Sequence, residues 1–242
     1  MKKGFWKIFR SSKQTLDAET LQAESVSGPR ITYDECDSCQ VCIELCPTQA
    51  ICMEDFPIID LGKCIYCGDC LQSCPLQAIK WDNPINSRTT RLSLAYPSEI
   101  EEKGESLRQD ILRKFGRSIS IRVVDAGSCN GCILEAGSLS NPIYDLERFG
   151  VKVVASPRHA DMLLVCGPVT ENMLQGLMHT YEAMANPKFI VAMGACAISG
   201  GPFRNNPECH EGVDSLLPVD MYIPGCPPSA SRMIMAIRSL LV

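Results

Sequence analysis

Apolar residues in the second half of the chain form five short, nearly continuous runs. The runs lie at 119–127, 151–156, 162–167, 189–195 and 221–225. Helix-compatible stretches lie between or after them, near 131–149, 170–186 and 228–241. Continuous apolar strands are typical of parallel sheets covered on both faces, and alternating strand and helix signals favour a doubly wound order. The pattern therefore predicts an α/β domain with a doubly wound parallel sheet, of flavodoxin-like type, over 118–242.

The first half of the chain contains a duplicated cysteine pattern. The stretch "CDSCQVCIELCPTQAI" (36–51) is followed by "CIYCGDCLQSCPLQAI" (64–79), and every cysteine recurs after 64 − 36 = 28 residues. Between the copies, "MEDFPIID" is typical of a short β-rich connection. The sequence predicts an α+β ferredoxin-like two-cluster domain over 31–80.

The spacing Cys-x-x-Cys-x-x-Cys-x-x-x-Cys-Pro is that of bacterial ferredoxins, in which the fourth cysteine binds the other cluster. One 4Fe–4S cluster is therefore assigned to Cys36, Cys39, Cys42 and Cys74. A second is assigned to Cys64, Cys67, Cys70 and Cys46. The alternative is a pair of zinc sites, but zinc usually uses paired Cys-x-x-Cys knuckles, which leave no role for a crossed fourth cysteine.

Four further cysteines are dispersed over the α/β half. Cys129 follows the first predicted strand, Cys196 follows the fourth, and Cys226 follows the fifth. Ligands of such sheets lie outside the carboxyl ends of the strands, so these three should meet at one rim together with Cys132. We expect Cys129, Cys132, Cys196 and Cys226 to form a four-thiolate site. A Cys-x-x-Cys pair alone could instead be a redox dithiol.

Some residues near these motifs have more than one interpretation. Cys52 and Cys166 stand in apolar runs and are expected to be core thiols. Cys209, beside His210, fits an ordinary loop, with a zinc or redox site as the alternative. Glu135 either hydrogen-bonds near the predicted cluster, or lines a proton route to a partner, or is a carboxylate favoured by a helix N-terminus.

The remaining segments are assigned by composition. Residues 1–30 are predicted to include a basic amphipathic helix, with Phe5, Ile8, Phe9 and Leu16 on one face and Lys3, Lys7 and Arg10 opposite. Such a segment binds a membrane surface or a partner's groove, and a frayed tail is the alternative. Residues 81–117 are expected to be a Pro-, Asn-, Ser- and Thr-rich linker followed by a helix.

The bulk composition excludes several classes of protein. Hydrophobic residues at 45% and charged residues at 21% are wrong for a disordered chain. The net charge of −5 gives no reason to expect nucleic-acid binding. No apolar run approaches the roughly 18–20 residues of a membrane span, and no signal peptide is recognisable. Because neither a G-x-G-x-x-G nor a Walker motif is present, no nucleotide or flavin is expected.

Four segments of the α/β half resemble a known family. They are "VDAGSCNGCILE", "ERFGVKVVASPRHADMLLVCGPVT", "GACAISGG" and "VDMYIPGCPPS". Over about residues 107–242 the chain resembles the small subunit of energy-converting, membrane-bound nickel–iron hydrogenases, including that of formate hydrogenlyase. The cluster-bearing subunit of respiratory complex I is related, but it typically has adjacent cysteines where this sequence has the spaced pair "CNGC". The fused N-terminal ferredoxin module departs from many relatives, in which it is a separate subunit.

The resemblance implies that Cys129, Cys132, Cys196 and Cys226 hold a 4Fe–4S cluster next to a partner's active site. The chain would then be a non-catalytic electron-transfer subunit with three 4Fe–4S clusters. Its expected partners are a nickel–iron large subunit or its complex I-like counterpart, membrane-embedded subunits, and a donor such as ferredoxin or a formate module. We expect peripheral attachment at the cytoplasmic face of the membrane. The alternatives are a quinone-reducing complex I-like subunit and a standalone ferredoxin-type carrier.

Overall fold

The computed structural model describes residues 15–24, 28–81 and 118–241, together with the isolated positions 109, 112, 113 and 116. All but one of the residues named for the N-terminal amphipathic helix lie outside the described residues. The exception, Leu16, is not in a helix, and it packs half-buried against the core of the α/β domain. Most of the linker and helix predicted over 81–117 also lies outside the described residues.

The ferredoxin-like module consists of four short strands and two short helices. They are β1 (Pro29–Ile31), α2 (Val41–Glu44), β2 (Ile51–Met53), β3 (Pro57–Ile59), α3 (Asp69–Ser73) and β4 (Ile79–Trp81). Strand β1 pairs antiparallel with β4, and β2 pairs antiparallel with β3. The two ladders are equivalent under the 28-residue repeat. Pro29 pairs with Trp81, and the corresponding positions in the other copy, Pro57 and Met53, pair in the same way. The duplication in the sequence is therefore a duplication of the backbone.

The α/β domain is built on a five-stranded parallel sheet. Its strands are β5 (Ile119–Asp125), β6 (Val151–Val153), β7 (Met162–Cys166), β8 (Phe189–Met193) and β9 (Met221–Ile223). Its helices are α4 (Gly131–Ser138), α5 (Glu171–Ala183), α6 (Gly194–Ser199) and α7 (Ala230–Arg238). The strand order β6-β5-β7-β8-β9 is that of a flavodoxin-like fold. The predicted fold class is confirmed.

Helix α6 was not predicted. The sequence suggested a strand up to residue 195, whereas the strand ends at Met193 and the helix begins at Gly194. Gly194 has φ 86°, a left-handed conformation that ends the extended backbone. A continuous apolar run cannot distinguish a buried strand from a buried helix, and every residue of α6 is buried.

Apolar layers cover both faces of the sheet. One layer contains side chains from α4 and α7. The other combines residues of α5 and α6 with isoleucines of the ferredoxin-like module, among them Ile31, Ile51 and Ile79. The module therefore contributes to the core of the α/β domain and is packed against it.

The described N-terminal segment also packs on the α/β domain. Helix α1 (Ala18–Glu24) contacts α7, and its Leu21 is fully buried. Just before it, the Leu16 amide donates to the Ile143 carbonyl at 2.9 Å, and the Thr15 hydroxyl donates to the Pro142 carbonyl at 2.8 Å. The ferredoxin-like module is thus inserted between two parts of the chain that pack together. None of the helices formed by the described residues is long and apolar enough to span a membrane.

Candidate iron–sulfur sites

The first cysteine set surrounds one hollow of the ferredoxin-like module. Cys36, Cys39, Cys42 and Cys74 all line it, with Ile31 and Pro57 among the apolar residues of its wall. The pKa of Cys42 is raised above its usual value, first by burial and then by the nearby Cys39, Cys36 and Cys74 thiols. Three of these cysteines come from the first copy of the repeat and Cys74 comes from the second, which is the combination that the spacing predicted.

The second cysteine set surrounds the equivalent hollow. Cys46, Cys64, Cys67 and Cys70 line it, together with Tyr66 and Trp81. Burial raises the pKa of Cys64 to about 12 and that of Cys70 to about 11, and neighbouring thiols add to both shifts. Here Cys46 is supplied by the first copy. The structure therefore brings each set together in its crossed combination.

Backbone amides point at several of these sulfurs. The Ala50 amide donates to Cys46 Sγ at 3.1 Å, and the Ala78 amide donates to Cys74 Sγ at 3.3 Å, which is the same bond in each copy. The Tyr66 amide donates to Cys64 Sγ at 3.4 Å. Such bonds to ligand sulfurs are one of the determinants of a cluster's reduction potential.

The loops around the sulfurs repeat an uncommon backbone conformation. Positive φ angles occur in three pairs separated by 28 residues: Ser38 and Tyr66 (60° and 61°), Gln40 and Gly68 (65° and 84°), and Gln49 and Gln77 (50° and 52°). Non-glycine residues rarely adopt this conformation. Its recurrence at five of them shows that the two copies share the conformation of their loops as well as their cysteine spacing.

The third site lies at the carboxyl rim of the parallel sheet. Cys129 follows β5 and is exposed, Cys132 is buried in α4, Cys196 is buried in α6, and Cys226 follows β9 and is half-buried. Burial raises the pKa of Cys196 to about 12, with Cys226 and Cys129 as the next causes. The pKa of Cys132 is also raised, by burial and then by Cys166, Cys196, Cys226 and Cys129. The four predicted cysteines are neighbours, as the rim rule requires.

Two glycines leave room for these thiols. A Cβ atom at Gly194 would lie 2.6 Å from Cys132 Sγ, and one at Gly201 would lie 3.1 Å from Cys196 Sγ. Both glycines have positive φ, at 86° and 51°. The close approach of backbone to sulfur explains why glycines flank Cys196 in "GACAISGG".

The three cysteine sets fit iron–sulfur clusters. Each provides four thiol groups, one for each iron of a 4Fe–4S cluster, and soft sulfur is the ligand that such iron prefers. Among the described residues, no three His, Cys, Asp or Glu side chains converge closely enough to hold a single metal ion. In the ferredoxin-like module the cysteines surround hollows, and a hollow suits a group several atoms across.

The remaining cysteines differ in their surroundings. Cys52 is exposed, so its prediction as a core thiol was wrong. Strand β2 alternates, and it buries Ile51 while turning Cys52 outward. Cys166 is fully buried, as predicted, and its thiol donates to the Val124 carbonyl at 3.4 Å. Cys209 is half-buried in a loop.

Cys166 is also a neighbour of the third site, a placement that was not predicted from the sequence. Apart from burial, it is the largest contributor to the raised pKa of Cys132. Burial raises the pKa of Cys166 itself to about 12, followed by the effect of Asp125. The signal was available, because Cys166 ends a strand whose carboxyl end lies at the same rim.

Glu135 connects two of the elements that carry the third site. Its carboxylate Oε2 accepts a hydrogen bond at 3.1 Å from the amide of Ala230, the first residue of α7. The Glu135 carboxylate therefore lies at a helix N-terminus, as one interpretation predicted. The helix is α7, however, and not α4, in which Glu135 itself lies. The carboxylate joins α4, which contains Cys132, to the helix that follows Cys226.

The two modules meet at the second site. The Ser199 hydroxyl in α6 donates to the Gly62 carbonyl at 2.8 Å, and the Arg204 guanidinium donates to the Thr48 carbonyl at 2.7 Å. Gly62 lies two residues before Cys64, and Thr48 lies two residues after Cys46. Helix α6 also carries Cys196, so these bonds join the second and third sites. No local sequence signal indicated them.

A two-site ferredoxin-like module joined to a flavodoxin-like domain with thiols at its rim defines an iron–sulfur protein of the electron-transfer class. Residues 129–240 match the family described as "NADH ubiquinone oxidoreductase, 20 Kd subunit". Residues 57–80 match the family described as "4Fe-4S binding domain".

Curated relatives agree with these matches. Formate hydrogenlyase subunit 7 of Escherichia coli (strain K12) is 43% identical over 133 residues, which are 55% of this chain and 52% of that protein. Probable membrane-bound hydrogenase subunit mbhJ of Pyrococcus furiosus is 49% identical over 118 residues, 48% of this chain and 71% of the relative. An NADH-quinone oxidoreductase subunit of Bacteroides fragilis is 50% identical over 121 residues, 49% of this chain and 61% of the relative. The matched part spans about half the length of the Escherichia coli protein.

The chain therefore belongs to the family of the 20 kDa subunit of NADH ubiquinone oxidoreductase, which includes subunits of membrane-bound hydrogenases. It is an iron–sulfur electron-transfer subunit of this family of oxidoreductase complexes.

Proposed function

We propose that the chain is the electron-transfer subunit of a membrane-associated nickel–iron hydrogenase complex and that it holds three 4Fe–4S clusters. The observation that carries the proposal is the connected placement of three four-thiol sites. Two of them lie in the duplicated module, and α6 joins the second of these to the third. The hydrogenase relatives and the spaced Cys129–Cys132 pair favour this member of the family.

The proposed ligands follow from the sets that the fold assembles. The first site uses Cys36, Cys39, Cys42 and Cys74, the second uses Cys46, Cys64, Cys67 and Cys70, and the third uses Cys129, Cys132, Cys196 and Cys226. When bound, the clusters supply one-electron transfer. The protein holds them, shields them from water, and fixes their separation through the Ser199 and Arg204 bonds. No residue of the chain is assigned a bond-making step.

Electrons are proposed to enter at the first site. Two aromatic residues are attached to its wall: the Tyr33 carbonyl accepts from the Cys36 amide, and Phe56 precedes Pro57 in the chain. Their side chains are 50% and 46% exposed, with ring centroids 5.5 Å apart. An exposed aromatic pair is a suitable contact for a soluble low-potential donor such as reduced ferredoxin, or for a formate-oxidising module.

Electrons are proposed to leave from the third site. Cys129 is exposed there, and Leu134 in α4 is 72% exposed, the most exposed large apolar side chain among the described residues. The large subunit, with a nickel–iron centre that reduces protons, would cover this face. Membrane-embedded subunits would then hold the assembly peripherally at the cytoplasmic face.

A complex I-like subunit that delivers electrons to quinone is the second candidate. The 50% identity to the NADH-quinone oxidoreductase relative of Bacteroides fragilis favours it, since this value is as high as those to the hydrogenase subunits. A standalone carrier is the third candidate, and it requires a stable monomer whose third site needs no partner.

Metal analysis of the native complex tests the proposal. The complex is purified without oxygen through a tag on this chain, and its nickel and iron are measured per copy. About one nickel and at least ~12 iron atoms, four for each of three clusters, are expected. Iron without nickel would favour the quinone-reducing candidate, and a monomer carrying ~12 iron would favour the standalone carrier.

A matched pair of variants tests the third site in the same preparation. Cys196→Ser should remove about four iron atoms per copy. Cys52→Ser should remove none, because Cys52 is exposed and belongs to no set. Equal iron in both variants would contradict the assignment of Cys196.

A further inference from the structure

Arg232 of the α/β domain reaches the cysteine loop of the second site. It lies in α7 and is only 4% exposed. Its guanidinium carbon lies 5.5 Å from the centroid of the Tyr66 ring, and Tyr66 stands between Cys64 and Cys67. A side chain of one module therefore packs against the ligand loop of the other.

Tyr66 transmits this contact to the wall of the site. Its ring stacks on that of Trp81, with centroids 6.2 Å apart and planes inclined by 14°. Tyr66 and Trp81 both line the hollow of the second site, and the Tyr66 amide donates to Cys64 Sγ. Arg232, Tyr66 and Trp81 thus form a layered wall, with the guanidinium on the α/β side.

The charge of Arg232 distinguishes this wall from ordinary packing. A guanidinium stays protonated in proteins and stacks well on aromatic rings. Because Arg232 is buried, its field is screened less than that of a surface cation. A cluster that gains one electron from its donor gains one negative charge, and a nearby fixed cation stabilises that reduced form.

We propose that Arg232 is a positioning residue that raises the reduction potential of the cluster held by Cys46, Cys64, Cys67 and Cys70. The inference rests on the proposed function, since it requires a cluster in the second site. Net charge is one of the properties by which proteins set iron–sulfur potentials. Helix α7, which contains Arg232, begins four residues after Cys226. A residue on a helix next to the third site would therefore adjust the reduction potential of the cluster in the second site.

Redox titration of the complex, followed by electron paramagnetic resonance, tests the proposal. Arg232→Gln removes the charge and keeps a polar side chain, whereas Arg232→Lys keeps the charge. In Arg232→Gln, the midpoint potential of one cluster should shift to a more negative value while the other two stay unchanged. Arg232→Lys should retain most of the wild-type potential.

Arg238→Gln is the matched control. Arg238 ends the same helix, and its guanidinium lies 5.4 Å from the Phe149 ring centroid within the α/β domain. This substitution removes the same charge from a similar aromatic contact, and it should leave the potential of the second cluster unchanged. An equal shift in both variants would overturn the proposal, because it would show a general effect of net charge.

The remaining outcomes are also decisive. An unchanged potential in Arg232→Gln with full iron overturns the inference, as does a shift in Arg232→Lys equal to that in Arg232→Gln. Arg232→Gln could also lose iron. In that case, full iron and a wild-type potential in Arg232→Lys support the role of the charge. Loss of iron in both variants overturns the proposal, because it shows that the shape of the side chain and not its charge is required. Fewer than three clusters in the wild-type protein would contradict the proposed function, while the Arg232 comparison still decides the inference if the second cluster is present. Absence of that cluster overturns both.

Discussion

Ser199 and Gly62 are joined by a buried hydrogen bond across 137 residues of sequence, with the Ser199 hydroxyl 2.8 Å from the Gly62 carbonyl. The bond lies between the helix of Cys196 and the loop that leads to Cys64. It is a direct contact between the two modules, and each of its ends belongs to a segment that carries proposed cluster ligands.

Ser199→Ala should loosen this junction. A buried carbonyl that loses its partner costs about 1–3 kcal/mol. We expect a lower midpoint temperature for thermal release of iron, measured by the loss of visible absorbance. Ser215→Ala is the control, because the Ser215 hydroxyl donates to the Gly212 carbonyl within one loop of the α/β domain. An equal fall in the iron-release temperature in both variants would show that the bond between the modules matters no more than a bond within one loop.

The crossed ligation can be tested by combining cysteine variants. Cys74→Ala should remove about four iron atoms, since each cluster holds four. Adding Cys36→Ala should remove no more iron, because both residues serve the first site, whereas adding Cys64→Ala should remove about four more. Iron analysis distinguishes the two double variants. A further loss of iron on adding Cys36→Ala, with none on adding Cys64→Ala, would contradict the crossed assignment.

Gly194→Ala should disrupt the third site selectively. The new Cβ would lie 2.6 Å from Cys132 Sγ, and the left-handed φ of 86° adds about 1–2 kcal/mol of strain for any other residue. We expect loss of one cluster signal with the other two retained. Gly137→Ala in α4, where a Cβ meets nothing within 4 Å, is the control and should keep all three signals.

Leu134→Glu should weaken association with the large subunit without changing the iron content of the chain. A charge in the core of an interface is unfavourable because it must be desolvated, while the same charge on a free surface costs little. Co-purification through a tag on this chain measures the effect. Val153→Glu, at an exposed position of β6, should leave association intact. Full retention of the large subunit by Leu134→Glu would place the partner elsewhere.

Leu21→Ala should destabilise the α/β domain although it lies before the ferredoxin-like module. Removing a fully buried leucine side chain costs about 2–5 kcal/mol. The lower stability should be visible in thermal unfolding followed by circular dichroism. The exposed Glu19 on the same helix provides the control, and Glu19→Gln should change the unfolding temperature little.

The cysteine sets could be predicted from sequence because metal chemistry constrains spacing. Cys46 and Cys74 were placed in opposite sites by the ferredoxin pattern, and the strand ends placed Cys129, Cys196 and Cys226 at one rim. The fold places the members of each set together. Their role as ligands stays a prediction.

Other features depend on contacts that no local pattern encodes. Helix α6 is hidden in a continuous apolar run, and Cys52 faces solvent because a two-stranded ladder has only one buried face. The bond between Ser199 and Gly62 and the stacking of Arg232 on Tyr66 depend on how two modules dock. Docking is a long-range property that the residues adjacent to each contact do not reveal.

The contact between α1 and α7 has a consequence for the order in which the protein can fold during synthesis. Leu21 leaves the ribosome early, but the surface that buries it includes residues 230–238, which are made much later. The ferredoxin-like module, by contrast, contains both copies of its repeat by residue 81, so its thiols can meet well before the α/β domain is complete. All eight cysteines of the first two sets are therefore synthesised before the strands and helices that pack around the beginning of the chain.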